Sequence, residues 1–389
     1  MNTPAEFDEI RPLNPEEIPA ACDELLADPT FRAVMAKVSP DTPLDALAAV
    51  MRSCRTNLEF QLRLVEPLIG QLVAGRTTSF TLDGDAIADK AAPHTFVSNH
   101  RDIIMDPAFL SVLLVKNGFP DSVEIAIGDN LLIMPWIKTL VRLCRAFIVQ
   151  RSLSMRQMLM SSMRLGRYIN FAITEKRTNV WIAQREGRAK DSNDRTQESV
   201  LKMMTMGSKA EPVEALRALH IVPTALCYEY DPCDYLKAQE FQLKRDNPDH
   251  KKSQQDDLDN MATGIYGFKG NVRFVLAPCI DTWLDSVASL PKTEIYGAVA
   301  AHIDREIHSH YALYACNYIA ADRLEGGTRF ASHYTVADVE HFDGYIEGQL
   351  AKVSIPNPDI AFMRQCMMKM YGNPALNAQQ AKEEGSACD

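Results

Sequence analysis

The sequence has 389 residues, of which 46% are hydrophobic and 24% are charged, a composition typical of globular chains. The 41 basic and 51 acidic side chains leave a formal net charge of −10, the wrong sign for a general nucleic-acid-binding protein. The nine cysteines are scattered without a Cys-x-x-Cys pair, so neither a disulfide framework nor a thiolate zinc site is indicated. We therefore expect a reducing, cytoplasmic compartment, no nucleic-acid partner and no resident metal.

Residues 1–85 form the first predicted region, and their pattern is helical. Asn14 and Pro15 fit an N-cap followed by a first-turn proline. The N-terminus lacks the basic and apolar segments of a secretory signal. No stretch of about 18 apolar residues predicts a membrane-spanning helix.

Residues 86–290 alternate short apolar runs with helix-length segments, which predicts an α/β domain whose largely parallel sheet is flanked by helices. The six runs are HTFVSN, SVEIAIGD, AFIVQRS, NVWIAQREG, IVPTALCYEY and NVRFVLAPCI. Between the last two, residues 237–260 are highly charged and predict a solvated helical excursion. Residues 291–389 are predicted to be helical, with a frayed tail from Asn377. The fold class is thus α/β with helical N- and C-terminal extensions.

Two polar residues, Asn99 and His100, follow the first predicted strand and precede a helical pattern. Open α/β sheets bind ligands at the carboxyl ends of their strands, and free N–H groups at a helix start favour an anion or an oxyanion. Asp102 and Asp106 follow closely, so each is a candidate partner for the histidine. The alternative is that Asn99 caps the helix and His100 is a partly exposed loop residue.

Three further predicted strands carry turn residues of interest. They supply Arg151, then Glu186, Gly187, Arg188 and Lys190, and finally Pro223. Glycine permits a close backbone approach, and the basic groups offer donors for a phosphate. Taken alone, the Glu-Gly-Arg turn would be interpreted as a solvated charged turn.

Together and in this order, the four stretches resemble the motifs of the glycerophospholipid acyltransferase family over roughly residues 90–285. The motifs are carried by Asn99, His100 and an aspartate; by Arg151 and Ser152; by Glu186, Gly187 and Arg188; and by Val222 and Pro223. Members of the family acylate lysophosphatidate, glycerol 3-phosphate or related lipid acceptors. The resemblance implies that residues 86–290 form an acyltransferase domain.

Two departures from the family pattern leave residue roles open. The family spacing is histidine, four residues, aspartate, whereas Met105 occupies that position here. We expect Asp106 to pair with His100, with Asp102 as the alternative. In the third motif the arginine follows the glycine directly, so either Arg188 or Lys190 is the candidate for holding a phosphate.

The resemblance implies transfer of an acyl group from a thioester, either acyl-CoA or an acyl carrier protein, to an acceptor hydroxyl group. His100 is the expected general base, because histidine exchanges a proton near neutral pH, and a carboxylate on its far nitrogen stabilises the imidazolium. No cofactor is expected. The residues expected to bind substrate are Asn99, Arg101, Arg151, Glu186, Gly187, Arg188 and Lys190.

Three other interpretations stay open. The acceptor could be an amino-acid lysolipid, or the protein could bind lipids without turnover. A metal hydrolase would instead use His94, His100, Asp102, Asp106 and Glu186. His94 and His100 lie at opposite ends of one predicted strand, about 20 Å apart at about 3.3 Å per residue, which counts against shared ligation.

Residues 131–168 are expected to meet a membrane surface, which would place the protein on the inner face of the cytoplasmic membrane. Between Leu131 and Thr174 there are seven basic residues and no acidic one. The basic residues are Lys138, Arg142, Arg145, Arg151, Arg156, Arg164 and Arg167. An apolar stripe at helical spacing comprises Ile133, Trp136, Ile137, Leu140, Val141 and Cys144, which predicts a basic amphipathic helix.

Two alternatives remain for this basic segment: the stripe packs on the sheet, or the charges dock an acyl carrier protein. The methionines that follow fit either a core or a lipid surface. They are Met155, Met158, Met160 and Met163.

Overall fold

A computed structural model of the chain describes residues 2–132, 134–151 and 153–386. Ile133 of the apolar stripe and Ser152 of the second motif therefore lie outside the described residues, as do residues 387–389. No helix within the described ranges has the length and apolar character that crossing a bilayer requires.

Within these ranges, seven strands form a single sheet. The strands are β1 (Thr77–Asp83), β2 (Thr95–Ser98), β3 (Val123–Gly128), β4 (Ala146–Val149), β5 (Asn179–Ala183), β6 (Ile221–Tyr228) and β7 (Gly270–Leu276). Their order across the sheet is β1-β7-β6-β2-β5-β3-β4. The neighbours from β6 to β4 are parallel, whereas β7 runs antiparallel to β6 and parallel to β1. The predicted α/β class with a largely parallel sheet is confirmed.

Helices precede, separate and follow the strands. The α-helices are α1 (Ile18–Ala27), α2 (Pro29–Val38), α3 (Leu44–Ser53), α4 (Asn57–Phe60), α5 (Glu66–Val73), α6 (Met105–Lys116), α7 (Pro135–Leu143), α8 (Met155–Thr174), α9 (Glu198–Thr205), α10 (Pro212–Arg217), α11 (Asp234–Asp246), α12 (Gln254–Tyr266), α13 (Lys292–Ser309), α14 (Ala315–Glu325), α15 (Val336–Leu350) and α16 (Ile360–Ser386). A π-helical segment, Gln61–Val65, joins α4 to α5. Short 3₁₀ segments are Ala5–Phe7, Pro15–Glu17, Asp129–Leu131, Trp283–Val287 and Ala331–His333.

The two faces of the sheet are covered by different helices. Successive strand residues point to opposite faces, so Phe96 of β2 joins a core with α5 and α6, while Val97 joins a core with α8, α9 and α13. Residues Thr95 to Ser98 are all buried. The central strand β2 is therefore held from both sides, and its carboxyl end is a rigid support.

The N-terminal region is helical as predicted, except for its last strand. Asn14 caps the first turn in a capping box with Glu17, and Pro15 occupies that turn. The assignment of residues 1–85 as helical is wrong for β1. This edge strand, TTSFTLD, contains no apolar run, and its extended form is specified by pairing with the distant β7.

Two predictions about solvent exposure need correction. Residues 237–260 contribute to α11 and α12 as predicted, and residues 244–259 are exposed or half-buried, but Lys237 and Glu240 are buried rather than solvated. Lys237 Nζ donates a 3.0 Å hydrogen bond to the carbonyl oxygen of Arg101. The segment from Asn377, predicted to fray, is helical to the end of α16 because Asn377 and Ala378 are buried.

The amphipathic helix α7 packs part of its apolar stripe on protein. Trp136 and Leu140 pack against the core of the N-terminal helices, and Ile137 and Val141 are half-buried. Arg142 Nε donates 2.9 Å to the carbonyl oxygen of Arg11, and Arg145 is buried in an ion pair with Asp121. The apolar stripe of α7 is thus partly covered by protein, and membrane contact through residues 131–168 stays a prediction.

Candidate active site

Asn99 fixes the turn that follows β2. Its Nδ2 donates 2.9 Å to the carbonyl oxygen of Leu226, and its Oδ1 accepts 2.8 Å from the N–H of the same residue. Asn99 thus ties the turn to β6 and does not cap α6. Val222 and Pro223 of the fourth motif lie in register with Phe96 and Val97. The fourth motif therefore lies in β6, the strand that pairs with β2.

His100 stands next to Asp106, which lies in the first turn of α6. The His100 Nδ1 and Asp106 Oδ2 atoms are 2.7 Å apart. Trp181 of β5 packs against the imidazole edge-on, with ring centroids 5.5 Å apart. The histidine side chain is 14% exposed and its carboxylate partner is fully buried. Asp106 and Trp181 thus both contact the imidazole, which keeps a small exposed fraction.

The Asp106 carboxylate receives four hydrogen bonds. Its Oδ2 also accepts from the N–H groups of Arg101 at 2.6 Å and Asp102 at 3.0 Å, and its Oδ1 accepts from the Tyr228 hydroxyl at 2.8 Å. Burial by itself would raise the pKa of Asp106, but the hydrogen bonds and the charge of His100 outweigh it and lower that pKa. An ionised carboxylate only accepts hydrogen bonds, so Nδ1 of His100 carries the hydrogen and Nε2 of the neutral ring can take a proton.

Asp102 has a different task. Its Oδ1 accepts from the N–H groups of Ile104 at 2.9 Å and Met105 at 2.8 Å, which caps the start of α6. Burial and the nearby Asp106 charge raise the pKa of Asp102. The N–H groups of this turn that we expected to hold an oxyanion are therefore already bonded, two to each aspartate.

A cavity of about 1080 Å³ opens beside His100. One part of its lining is apolar and comes from the N-terminal helices, α6, β3 and α7; examples are Val34, Val65, Ile104, Ile127 and Trp136. Another part is charged and comes from the segments after β4 and β5 and from the α11–α12 connection. The N-terminal helical region thus supplies a wall of the candidate site.

Arg151 and the Glu-Gly turn lie on this cavity wall. Gly128 allows Arg151 to approach, because a Cβ at this position would lie 2.9 Å from Arg151 Nε. Gly187 has a φ of +67°, a conformation that glycine adopts without strain. Glu186 is mostly exposed, and its Oε1 lies 3.7 Å from Arg151 Nη1.

Two neighbouring arginines carry buried donors without a protein partner. Arg188 Nη2 donates 3.3 Å to Asn260, but Arg188 Nη1 and Arg185 Nε have no hydrogen-bond partner among the described residues. Both arginines line the cavity. Unpaired buried donors cost free energy, so an anionic ligand group fits this position.

Lys190 is already engaged. It pairs with the buried Glu240, which also accepts from Lys244 at 2.9 Å and lies 3.0 Å from Lys252. Burial lowers the pKa of Lys190 to about 8 despite the pair. Burial would raise the pKa of Glu240, but its lysines lower it to about 2. Three ammonium groups around one carboxylate leave this part of the wall positive.

Arg101 is placed away from the cavity. Its guanidinium is buried and pairs with Asp194, and Arg101 does not appear among the cavity-lining residues. The prediction that Arg101 contacts substrate is therefore wrong, because its side chain points into the protein while its N–H holds Asp106.

The metal-hydrolase interpretation finds no geometric support. No three of its five candidate ligands bring their donor atoms within 4.8 Å of one another, on the described part of the chain.

Two residues of the site, Arg185 and Tyr228, were not predicted from the sequence. Arg185 lies just after β5, so its position at the carboxyl end of a predicted strand could have indicated a binding residue. Tyr228 contacts Asp106 across 122 positions of the sequence, which no local pattern can predict.

Residues 80–226 match the family model described as Acyltransferase. No curated protein matches the sequence. Among solved structures, the chain is similar to the 1-acyl-sn-glycerophosphate (LPA) acyltransferase PlsC from Thermotoga maritima, with 10% identity and a TM-score of 0.32, over 74% of this chain and 98% of that chain. Residues 80–226 are thus similar to the acyltransferase family that the four motifs resemble.

Proposed function

We propose that the protein moves a fatty acyl group from a thioester donor to the hydroxyl group of a lysophospholipid or glycerol phosphate, with His100 as general base and Asp106 as the carboxylate that orients it. The observation that carries this proposal is the 2.7 Å contact of His100 with a buried Asp106, beside a cavity with an apolar and a basic part. Lipid binding without turnover would not require a carboxylate fixed behind a histidine.

The chemistry needs a single base. The acceptor oxygen attacks the thioester carbonyl carbon while its proton passes to Nε2 of His100, and Asp106 stabilises the imidazolium that forms. When the tetrahedral intermediate collapses, the C–S bond breaks and the thiolate takes the proton from Nε2. His100 is then neutral again, and no covalent enzyme intermediate has formed.

The cavity lining supports one orientation of the substrates. The apolar part suits the acyl chain, since burial of each CH₂ group contributes about 0.8 kcal/mol. The unpaired donors of Arg185 and Arg188, with Arg151 beside them, suit the phosphate of the acceptor. Holding the phosphate would orient the acceptor hydroxyl toward His100.

The direct test is an acyl-transfer assay on purified protein. Lysophosphatidate, glycerol 3-phosphate and an amino-acid lysolipid are each combined with acyl-CoA or acyl carrier protein, and the products are identified by mass spectrometry. We expect an ester product with a phosphate-bearing acceptor. Product from the amino-acid lysolipid alone would overturn the acceptor assignment, and no product from any pair would favour lipid binding without turnover.

For membrane contact, we place the surface on the first half of α8 instead of α7. Met155 is 89% exposed, and Met158, Leu159 and Met160 are 48%, 55% and 61% exposed. Residues 154–160 are all exposed, so this stretch packs no side on the protein. An apolar helix end of this kind fits a lipid environment, and Arg156 adds a charge for anionic headgroups at the inner face of the membrane.

Vesicle co-sedimentation tests this surface. The double variant Met155→Ser/Leu159→Ser should bind anionic vesicles at least about tenfold more weakly, since burying one such side chain contributes about 1.5–3 kcal/mol. The control is Val336→Ser, which removes an apolar side chain that is 75% exposed on a different helix. Equal binding by the two variants would remove α8 from the membrane surface.

A further inference from the structure

Four side chains with metal-ligand chemistry meet at the end of the sheet opposite His100. His94 precedes β2, His220 precedes β6, and Cys279 and Asp281 follow β7. The antiparallel β7 delivers its last residues to the amino end of β6, where the N–H of Ile280 bonds to the carbonyl oxygen of Ile221 at 3.0 Å. One donor atom from each of His220, Cys279 and Asp281 lies within 4.8 Å of the others.

Two polar atoms of this cluster are buried without a partner. His94 is only 7% exposed, and neither its Nδ1 nor Asp281 Oδ1 has a hydrogen-bond partner among the residues that the structure describes. The rings of His94 and His220 are 6.5 Å apart between centroids. Orphaned buried atoms are uncommon because they cost free energy, so they point to a ligand at this position.

We propose that His220, Cys279 and Asp281 bind a zinc ion and that the His94 ring, whose centroid lies 6.5 Å from that of His220, moves toward the ion as the fourth ligand. Imidazole, thiolate and carboxylate are the ligands that Zn²⁺ prefers, and four protein ligands are typical of a structural site. Mg²⁺ and Ca²⁺ select oxygen ligands instead. No local spacing of residues indicates this zinc site, because its ligands come from three separate segments of the chain.

Binding exchanges protons for the metal. His220 Nδ1 and Asp281 Oδ2 are 2.5 Å apart and share a hydrogen. On binding, the neutral His220 carries this hydrogen on Nε2 and offers Nδ1 to the ion, and the Cys279 thiol gives its proton to solvent. The charges of Zn²⁺, one thiolate and one carboxylate then cancel. Zinc bonds of about 2.0–2.3 Å require His220 and Asp281 to separate slightly. Arg217, which donates to the carbonyl oxygen of Asp281 and to the Asp285 carboxylate, uses other atoms.

The ion would tie the ends of β2, β6 and β7 together and would not reach the acyl-transfer chemistry. His94 and His100 are separated by the length of β2, about 20 Å at about 3.3 Å per residue. The expected readouts are therefore metal content and stability. The inference is independent of the acyl-transfer proposal, and neither stands on the other.

Elemental analysis of untagged protein dialysed against ZnSO₄ and then buffer tests the site. We expect about one zinc per chain in the parent and in Cys144→Ser, a matched half-buried cysteine, and less than about a fifth of that in Cys279→Ser and His220→Gln. Zinc should also raise the unfolding temperature of the parent and not that of the two site variants. A parent without zinc, or site variants that keep it, would overturn the assignment.

Substitution of Co²⁺ gives a second measurement that needs no variant to fold. Tetrahedral Co²⁺ bound to a thiolate shows intense visible absorption and a sulfur-to-metal charge-transfer band. The parent should show both bands at about one equivalent of Co²⁺. Absence of the charge-transfer band would exclude Cys279 as a ligand and overturn the proposed site.

Discussion

Among the residues that the structure describes, two histidine–aspartate pairs are hydrogen-bonded, one at each end of the sheet. His100 and Asp106 are 2.7 Å apart, and His220 and Asp281 are 2.5 Å apart. Asp106 is fully buried and receives three further donors, whereas Asp281 leaves Oδ1 without a partner in the described part of the chain. His100 faces a large cavity, and the His220 side chain is 40% exposed. Separation alone therefore does not define a catalytic dyad; the fixed carboxylate and the space for substrate do.

The arginines at the two ends differ in the same way. Arg145, at the amino ends of the strands, donates 2.9 Å bonds to Asp121 and Ser122 and also bonds Thr178. Arg185 and Arg188, at the carboxyl end of β5, keep buried donors that no described protein atom accepts. Protein groups thus satisfy the Arg145 guanidinium, whereas the two arginines at the carboxyl end of the sheet keep donors for a ligand, as expected for an α/β sheet.

The largest expected effect is on His100. His100→Ala should lower acyl transfer by about 10²–10⁴-fold, because it removes the proposed base at the carboxyl end of β2. The fold should persist, since the side chain borders a cavity, and circular dichroism with thermal unfolding checks this. His341→Ala, an exposed histidine on α15, is the control. Retention of more than about a hundredth of the activity would remove His100 from the base role.

The two aspartates of the turn separate catalysis from helix capping. Asp106→Asn should lower turnover by about 10²-fold or more, because an amide cannot stabilise the imidazolium. Asp102→Asn keeps an oxygen for the Ile104 and Met105 N–H groups and should lose less than about tenfold. Steady-state kinetics of both variants decide this. The reverse ranking would transfer the role to Asp102.

The sequence predicted this site better than its surroundings, for a physical reason. His100 and Asp106 belong to one strand–turn–helix unit, so their meeting depends on local structure. Arg145 was assigned to a surface because its own segment is basic, yet its partner Asp121 precedes a different strand. The β1 edge strand escaped detection in the same way. Contacts that depend on the order of strands in the sheet cannot be predicted from local sequence patterns.

The contribution of the Arg145–Asp121 ion pair to stability is tested by substitution of Arg145. Arg145→Gln should destabilise the chain by about 3–5 kcal/mol, because it leaves a largely buried carboxylate without its partner. Lys138→Gln, on the exposed side of α7, should change the free energy of unfolding by less than about 0.5 kcal/mol. Urea unfolding measures both. Similar small effects would show that the amino end of the sheet does not depend on this ion pair.

The smallest expected effect concerns Lys190 in the cavity wall and the pH dependence of substrate binding. The pKa of Lys190 is lowered to about 8, so its ammonium is charged below pH 8 and loses its proton as the pH rises through that value. Glu240, with a pKa of about 2, stays ionised throughout. The wall therefore loses positive charge above pH 8, and the KM for a phosphate-bearing substrate should rise by about two- to tenfold between pH 7 and pH 9. Lys190→Arg keeps its charge over this range and should flatten the rise. Parallel profiles for parent and variant would show that Lys190 does not act on the bound phosphate and that the arginines alone hold it.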